Sequence, residues 1–273
     1  MSRSDVPHTD YPRVALVTGA DSGIGRATAV ALAGAGFDVG ITFHRDQDGA
    51  ERTAEEVRAH GRGCAIRRHD LTDPVTASRA IDDLAGELGG VGVLVNNAAT
   101  GGGDRPVLDT DYEEWRAVLA VDLDGPFLCA QRAARRMVGR GHGGRIINVT
   151  SVHEEYPRIE AGPYCAAKGG LRMLSRVLAL ELSAHGITVN TIAPGEIATP
   201  MTGQADRPPV AGSRPGYPLG RPGDAREVAA AIAFLAGPSS SYVTGATLFV
   251  DGGLGLMGPQ AAGALTSADR REG

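Results

Sequence analysis

The stretch VALVTGADSGIGRA, residues 14–27, joins a short apolar run to a glycine-rich turn and then to a helical pattern. Its glycines, Gly19, Gly23 and Gly25, are spaced G-x-x-x-G-x-G. A tight turn needs glycine dihedrals, and close approach of a phosphate needs missing side chains. The first N–H groups of the following helix and its partial positive charge suit a pyrophosphate. The stretch therefore predicts a strand, a nucleotide-binding loop and a helix.

Short apolar strands alternate with helical patterns along the rest of the chain. Strands are predicted at 14–17, 39–43, 64–67, 91–95, 145–149, 187–192 and 247–250, and helices at 24–35, 50–60, 74–88, 111–140, 163–184 and 225–235. This alternation predicts an α/β fold with a parallel sheet that helices cover on both faces. In such a sheet a ligand binds at the carboxyl ends of the strands, near the point where the strand order reverses.

No linker interrupts the alternation, so we expect one domain over residues 13–253 after a polar tail at 1–12. Residues 194–223 are irregular and hold 7 of the 16 prolines, which predicts either a lid-like loop over a site or a solvated insertion. Residues 254–273 are Gly- and Ala-rich before a charged end, which fits a subunit contact or a frayed tail.

Composition excludes several classes of function. The net charge of -5 gives no bulk attraction to nucleic acid or anionic membranes. The chain has no 18-residue apolar run and no apolar signal core in its first twelve residues, so we expect cytoplasmic residence. Cys64, Cys129 and Cys165 fit neither a disulfide framework nor a zinc site, and the histidines form no metal-like cluster, so no metal is expected.

Lys168 is the only lysine in the chain, since the other 26 of its 27 basic residues are arginines. A strong bias towards arginine leaves a lysine where arginine would fail, or leaves one by chance. Tyr164 lies four residues earlier, on the same face of a predicted helix. An ammonium beside a phenol favours the phenolate, which makes the tyrosine a usable acid or base nearer neutral pH. With a nucleotide site and Ser151 at a strand end to hold a carbonyl or alcohol oxygen, the pattern predicts hydride transfer.

Taken together, TGADSGIG, NNAA, TS at Ser151, YCAAK and APGEIATP resemble the short-chain dehydrogenase/reductase family over roughly residues 13–253. The resemblance implies a single Rossmann-type domain with a doubly wound, seven-stranded parallel sheet, a nicotinamide cofactor and a homotetramer. It also implies that Tyr164 is the acid/base, that Ser151 orients the substrate oxygen and that Lys168 holds the nicotinamide ribose.

The glycine loop and the resemblance together predict the cofactor-binding residues. These are Gly19, Asp21, Ser22, Gly23, Ile24, Gly25, His44, Arg45, Asp70, Leu71, Asn97, Ala98, Tyr164, Lys168, Pro194, Gly195, Ile197 and Thr199. For Asn97 a structural cap on nearby backbone is the alternative.

The end of the second strand predicts NADP in preference to NAD. Members of the family that prefer NAD usually carry an acid there, but this chain has Phe43, followed by His44 and Arg45. Arg45 could bind a 2′-phosphate, although Asp21 in the glycine loop would repel that group. The alternative is that His44 and Arg45 are ordinary solvated residues.

One position departs from the family pattern. Where N-L-x-G-x-F is usual, this chain has DLDGPF, so Asp122 stands in place of a catalytic asparagine. A carboxylate accepts hydrogen bonds but offers no amide donor. Asp122 therefore remains a candidate catalytic residue whose role differs from that of asparagine.

The segment between Ser151 and Tyr164 bears on the substrate. Its SVHE, followed by a proline, resembles the glucose 1-dehydrogenase branch of the family, and His153 and Glu154 could hydrogen-bond the hydroxyls of a sugar or polyol. Ordering of the loop is an equal alternative for both residues. Small ketones and 3-oxoacyl thioesters remain open as substrates, and a non-catalytic nucleotide sensor is the alternative from another class.

Overall fold

Strands from most of the chain form one parallel sheet in a computed structural model that describes residues 10–102, 105–204, 209–210, 212–214, 216–258 and 261. The strands are β1 Val14–Val17, β2 Asp38–Phe43, β3 Cys64–Arg68, β4 Val93–Asn96, β5 Gly144–Val149, β6 Ile187–Pro194, β7 Ile197–Ala198, β8 Gly223–Asp224 and β9 Thr247–Val250. Seven of them pair in the order β3-β2-β1-β4-β5-β6-β9, and β7 pairs separately with β8. The predicted Rossmann-type sheet of seven parallel strands is thereby confirmed.

Helices connect the strands and cover both faces of the sheet. They are α1 Gly23–Gly34, α2 Gln47–Ala59, α3 Pro74–Ala77, α4 Arg79–Glu87, α5 Tyr112–Leu119, α6 Gly125–Arg140, α7 Gly162–Leu182 and α8 Ala225–Ala236. Alternate residues of β1 enter opposite cores: Val17 packs with side chains of α1, α2 and α8, and Leu16 packs with side chains of α4, α6 and α7. Because full burial of one such side chain contributes about 1.5–3 kcal/mol, both cores hold β1 firmly in register.

Two helices predicted as continuous are interrupted. The predicted helix at 74–88 breaks at Ser78, whose hydroxyl donates to the carbonyl of Val75, a side-chain bond that competes with the helical pattern. The predicted helix at 111–140 is divided by a π-helical turn at Ala120–Asp124. Pro126 follows this turn, and a proline cannot donate to the carbonyl four residues back and would clash with it.

The order of the strands creates the crevice for a ligand. The chain leaves β1 towards β2 and β3 on one side and returns to β4 on the other, so the segments that follow β1 and β4 diverge. The glycine loop follows β1, Asn97 follows β4 and Ser151 follows β5. All three therefore meet at the carboxyl edge of the sheet.

The terminal segments and the predicted lid are only partly described. In the predicted N-terminal tail, residues 1–9 lie outside the described residues, whereas Tyr11 is buried and its hydroxyl donates to the carbonyl of Ala236. Of residues 254–273, the structure describes 254–258 and 261. The predicted lid at 194–223 contains β7, a short turn at Pro200–Thr202 and the first residue of β8, with 205–208, 211 and 215 not described. Within the ranges described, no helix is both long and apolar enough to cross a membrane.

Candidate active site

An open cleft of about 1350 Å³ lies along the carboxyl edge of the sheet. It brings together most of the predicted site residues, which come from the glycine loop, from the segments after β2 to β6 and from α7. Those in its lining are Gly19, Asp21, Ser22, Gly23, Ile24, His44, Arg45, Asp70, Leu71, Asn97, Ala98, Ser151, His153, Tyr164, Lys168, Pro194, Gly195, Ile197 and Thr199. Gly25, Asp122 and Glu154 do not line it.

The glycine loop forms a tight cradle at one end of this cleft. Gly19 has φ +63°, and a Cβ there would lie 2.9 Å from the Cα of Ala98. A Cβ on Gly25 would lie 2.1 Å from the carbonyl oxygen of Gly19, so neither position accepts a side chain. Ser22, at the N-cap of α1, makes no side-chain hydrogen bond to the first turn. The first N–H groups of α1 are therefore open to an anion, and the residues present fit a dinucleotide.

Asn97 fixes the two diverging segments to each other. Its amide Nδ2 donates to the carbonyls of Thr18 at 3.0 Å and Gly19 at 2.9 Å. The backbone N–H groups of Asn97 and Ala98 both donate to the hydroxyl of Thr18, at 2.9 and 3.0 Å. The side-chain donors of Asn97 are thus used by the protein, as the structural alternative for this residue expected. Thr18 shares this role and was missed in the sequence, where a single threonine after a strand carries no signal.

A buried histidine, His69, contacts the glycine loop through the hydroxyl of Thr42. The hydroxyl of Thr42 accepts the N–H of Gly19 at 3.2 Å and lies 3.1 Å from Nδ1 of His69. Burial lowers the pKa of His69 to about 4, so its ring is neutral near pH 7 and shares one hydrogen bond with the Thr42 hydroxyl. Neither Thr42 nor His69 was predicted, because nothing in the sequence links them to residues so distant along the chain.

The rim of the cleft beside β2 and β3 carries charges of both signs. Nε2 of His44 lies 3.4 Å from Oδ2 of Asp70, whose Oδ1 accepts from the hydroxyl and N–H of Thr72. These bonds to Thr72 lower the pKa of Asp70. Arg45 is exposed next to His44, whereas burial, helped by nearby Asp46, raises the pKa of Asp21. This rim therefore offers a guanidinium and an imidazole to whatever group occupies it.

Tyr164 and Lys168 share one face of α7, as their spacing predicted. Nζ of Lys168 lies 5.4 Å from the centre of the Tyr164 ring and donates to the carbonyl of Val149 at 3.4 Å. Lys168 is buried, and although burial lowers its pKa, Asp122, Tyr164 and Glu154 together outweigh that effect and raise it. The structure therefore places a protonated ammonium beneath the Tyr164 ring.

Asp122 lies next to Lys168 and outside the lining of the cleft. Its side chain is fully buried, with Oδ2 3.3 Å from Nζ of Lys168 and Oδ1 accepting the N–H of Thr100 at 2.7 Å. Oδ2 makes no well-directed hydrogen bond, so its attraction to the ammonium is mainly Coulombic. Burial raises the pKa of Asp122, and Lys168 opposes this rise. Asp122 therefore contacts Lys168 and not the cleft.

His153 and Glu154 separate in the structure although they are adjacent in sequence. The His153 ring lies edge-on to the Tyr164 ring, with the ring centres 6.4 Å apart. Glu154 has a fully buried side chain, 3.2 Å from Nε of Arg172, and burial raises its pKa. The placement of His153 fits the predicted contact with substrate. That of Glu154 does not, because its carboxylate orders the loop against α7 and is turned away from the cleft.

A polar cluster closes the base of the predicted lid, and sequence reasoning missed it. Oε1 of Glu196 accepts from Nε2 of Gln204 at 2.8 Å and from Nε and Nη2 of Arg214 at 2.8 and 2.7 Å. The bond to Arg214 lowers the pKa of Glu196. Over the residues that the structure covers, no group of three or more His, Cys, Asp or Glu side chains could hold a metal ion.

Comparison with known proteins places this geometry among oxidoreductases. A family model described as enoyl-(acyl carrier protein) reductase matches residues 19–255. The structure of acetoin dehydrogenase YohF from Salmonella typhimurium is 46% identical, with a TM-score of 0.88 over 92% of this chain and 98% of that one. Acetoin dehydrogenase from Enterobacter cloacae is 47% identical, with a TM-score of 0.86 over 90% and 97%.

Two further proteins are similar at lower identity. Glucose 1-dehydrogenase 2 of Bacillus subtilis is 34% identical over 252 residues, which are 91% of this chain and 96% of that protein. A blue fluorescent protein from a metagenomic library, whose structure is a complex with NADPH, is 36% identical. Its TM-score is 0.80 over 88% of this chain and 97% of that one.

Proposed function

The chain belongs to the short-chain dehydrogenase/reductase family, and we propose that the CH–OH group on which this oxidoreductase acts belongs to a small α-hydroxyketone such as acetoin. The carrying observation is His153 beside Tyr164. Its Nδ1 donates to the carbonyl of Tyr156 at 2.9 Å, so Nε2 is the ring nitrogen left for a substrate group. An α-hydroxyketone carries a second oxygen on the carbon next to the reacting one, and that oxygen gives this ring nitrogen a hydrogen-bond partner.

The proposed chemistry assigns one task to each side chain near Tyr164. The bound nicotinamide supplies or takes the hydride. The Tyr164 hydroxyl gives its proton to the substrate oxygen during reduction and takes it back during oxidation. Ser151 Oγ accepts the N–H of His153 at 3.2 Å, which leaves its own hydrogen to orient the same substrate oxygen. The Lys168 ammonium favours the phenolate form of Tyr164 and would hold the ribose of a bound nucleotide.

For the cofactor we propose NADP over NAD, bound by the cleft residues predicted above. Arg45 is exposed at the rim and makes no ion pair with another residue of the described chain, so its guanidinium is available to a 2′-phosphate. The end of β2 carries Phe43, and no acid stands there to take the ribose hydroxyls.

Sugar oxidation is the second candidate. It is favoured by the similarity to glucose 1-dehydrogenase 2 and by the same His153. Because Glu154 faces Arg172, one of the two predicted contacts to sugar hydroxyls is lost. This is why the smaller hydroxyketone ranks first.

The test is a substrate panel with both nucleotides, followed by absorbance of the reduced cofactor. Acetoin and diacetyl, small ketones, glucose and a 3-oxoacyl thioester are compared for the wild type and for Tyr164→Phe. We expect the largest kcat/KM for the hydroxyketone and its diketone with NADP(H), and a loss of turnover of about 100-fold or more in Tyr164→Phe with cofactor binding retained. Greater turnover of glucose would favour the second candidate, and equal background in both proteins would favour a nucleotide sensor.

We also propose a homotetramer in the cytoplasm. Met173, Val177 and Leu180 project from one face of α7 with 56, 42 and 79% exposure, and Phe234 and Leu248 form a second apolar area on α8 and β9. A tetramer with two kinds of interface would cover both. All three cysteines are free thiols, as is usual in a reducing compartment.

A further inference from the structure

Asp122 places a buried carboxylate next to the ammonium of Lys168, so the site contains an ion pair and not an isolated ammonium. It lies on the π-helical turn at Ala120–Asp124, and such turns occur often at functional sites. Its Oδ2 is 3.3 Å from Nζ of Lys168, and both side chains are almost completely buried. Between groups removed from water, a Coulombic contact of this length is screened little by salt or solvent.

The contacts of Asp122 indicate that it is ionised. Its Oδ1 accepts a backbone N–H from Thr100 at 2.7 Å, a short bond of the kind that a charged acceptor makes. Its Oδ2 faces an ammonium. Among the described residues, neither oxygen of Asp122 faces an acceptor that would require a proton on this side chain, which fits the carboxylate form.

Charges around the Lys168–Tyr164 pair nearly cancel. The titratable side chains that face this pair are Asp122 from the π-helical turn and His153 and Glu154 from the turn after β5. Glu154 lies 3.2 Å from Arg172 of α7, which also pairs with the exposed Glu155 at 2.6 Å. The buried charges of Lys168 and Asp122 therefore cancel beside the phenol, while Glu154 and Glu155 share the one guanidinium of Arg172. A neutral residue at position 122 would leave an excess of one positive charge beside the phenol.

We propose that Asp122 is a positioning residue that sets the pH range of the reaction by neutralising Lys168. A phenolate next to an ion pair is stabilised less than a phenolate next to an isolated ammonium. With Asp122 in place, Tyr164 therefore keeps its proton up to a higher pH than it would with a neutral residue there. The enzyme is thereby poised as a proton donor, which favours reduction of a carbonyl near neutral pH.

This inference rests on the proposed function of Tyr164 and predicts the sign of a measurable shift. Oxidation needs the phenolate, so its rate rises with pH, whereas reduction needs the phenol, so its rate falls with pH. Asp122→Asn removes the negative charge, keeps an oxygen for the N–H of Thr100 and keeps the side-chain shape. We expect both limbs of the kcat/KM profile to move to lower pH by roughly one unit. At pH values below this limb, the oxidation rate of Asp122→Asn, expressed as a fraction of its own plateau, should be about tenfold higher than the corresponding fraction for the wild type.

The matched control is Asp124→Asn, which removes the same charge from an exposed residue of the same turn. Because solvent screens Asp124, its profile should stay at the wild-type position. Unchanged limbs in Asp122→Asn, or limbs that move to higher pH, overturn the proposal. If the wild type turns over no substrate in the panel, the proposed function has failed instead.

A second measurement does not depend on turnover. The ultraviolet absorbance of tyrosinate is titrated in the wild type and in Asp122→Asn, each against the same protein with Tyr164→Phe. The Tyr164 signal should appear at lower pH in Asp122→Asn, and coincident titrations would overturn the proposal. Asp122→Ser, which also removes the charge and keeps an oxygen, replaces the asparagine variant if that protein does not fold.

Discussion

At the scale of single residues, we predict that Arg45 decides which nucleotide the cleft prefers. Its guanidinium lies exposed at the rim, and we expect it to bind the 2′-phosphate that distinguishes NADP from NAD. Arg45→Ala should raise KM for NADPH by about ten- to a hundredfold, since a hydrogen bond to a charged group contributes about 1.5–3 kcal/mol. KM for NADH should change little. Steady-state kinetics with each nucleotide measures this difference.

Arg52→Ala is the matched control for Arg45→Ala. Arg52 is a nearby exposed arginine whose guanidinium lies 3.5 Å from the carboxylate of Asp46. It does not line the cleft, so neither nucleotide should bind less well to this variant. An equal loss of NADPH and NADH affinity in Arg45→Ala would contradict the assignment of the 2′-phosphate to this residue.

The sequence predicted the local part of this chemistry and missed the distant part. Tyr164 and Lys168 are four residues apart on one helix, so their shared face follows from helical geometry alone. Asp122 was noticed because it departs from a family pattern, but its contact with Lys168 depends on how α7 packs beside the π-helical turn. The same holds for His69, which acts on Gly19 through Thr42. Contacts between distant segments cannot be obtained from spacing.

At the scale of elements, strands and helices were predictable, and their irregularities were not. Apolar runs bounded by glycine or proline located every strand of the main sheet to within a few residues. The π-helical turn was not predicted, because helical periodicity continues on both sides of it. Pro126 marks its end, yet proline in the first turn of a helix is common, so its presence alone predicts no such interruption.

The segment after β6, which we predict to act as a lid, is held at its base by Glu196. Glu196 holds Gln204 and Arg214 through one carboxylate oxygen, which ties the base of the predicted lid together. Glu196→Gln weakens both bonds, so we expect KM for the substrate to rise about three- to tenfold while kcat changes less. Kinetics with saturating cofactor measures this change. The physical reason is that binding must then order a looser segment.

Glu87→Gln is the control for Glu196→Gln. It breaks a comparable, partly exposed ion pair with Arg67 that lies away from the cleft. Its KM should equal that of the wild type, because exposed pairs contribute little beyond local stability. If both variants lower the melting temperature equally and leave KM unchanged, the cluster at Glu196 is structural only and the lid assignment is contradicted.

At the scale of the whole molecule, the order of the strands explains why motifs so far apart in sequence form one site. Parallel strands end at the same edge of the sheet, so Gly19, Asn97 and Ser151 meet there regardless of their separation along the chain. The number of parallel strands and their cover by helices followed from the alternation of patterns. The reversal of order at β1 did not, since several strand orders satisfy the same alternation, and it was the family resemblance that implied it.

A substitution at Leu180 tests the proposed assembly of the protein into a tetramer. This side chain is 79% exposed on the apolar face of α7, so aspartate there costs the isolated chain little. In a tetramer that buries this face, each contact would contain unpaired buried carboxylates, which is strongly unfavourable. We therefore expect Leu180→Asp to dissociate tetramers into dimers held by the other interface, with sedimentation velocity as the measurement.

The control is Val75→Asp, at a 60% exposed position on α3, which should remain tetrameric. A wild type that sediments as a monomer, or a Leu180→Asp tetramer, would contradict the proposed assembly through α7.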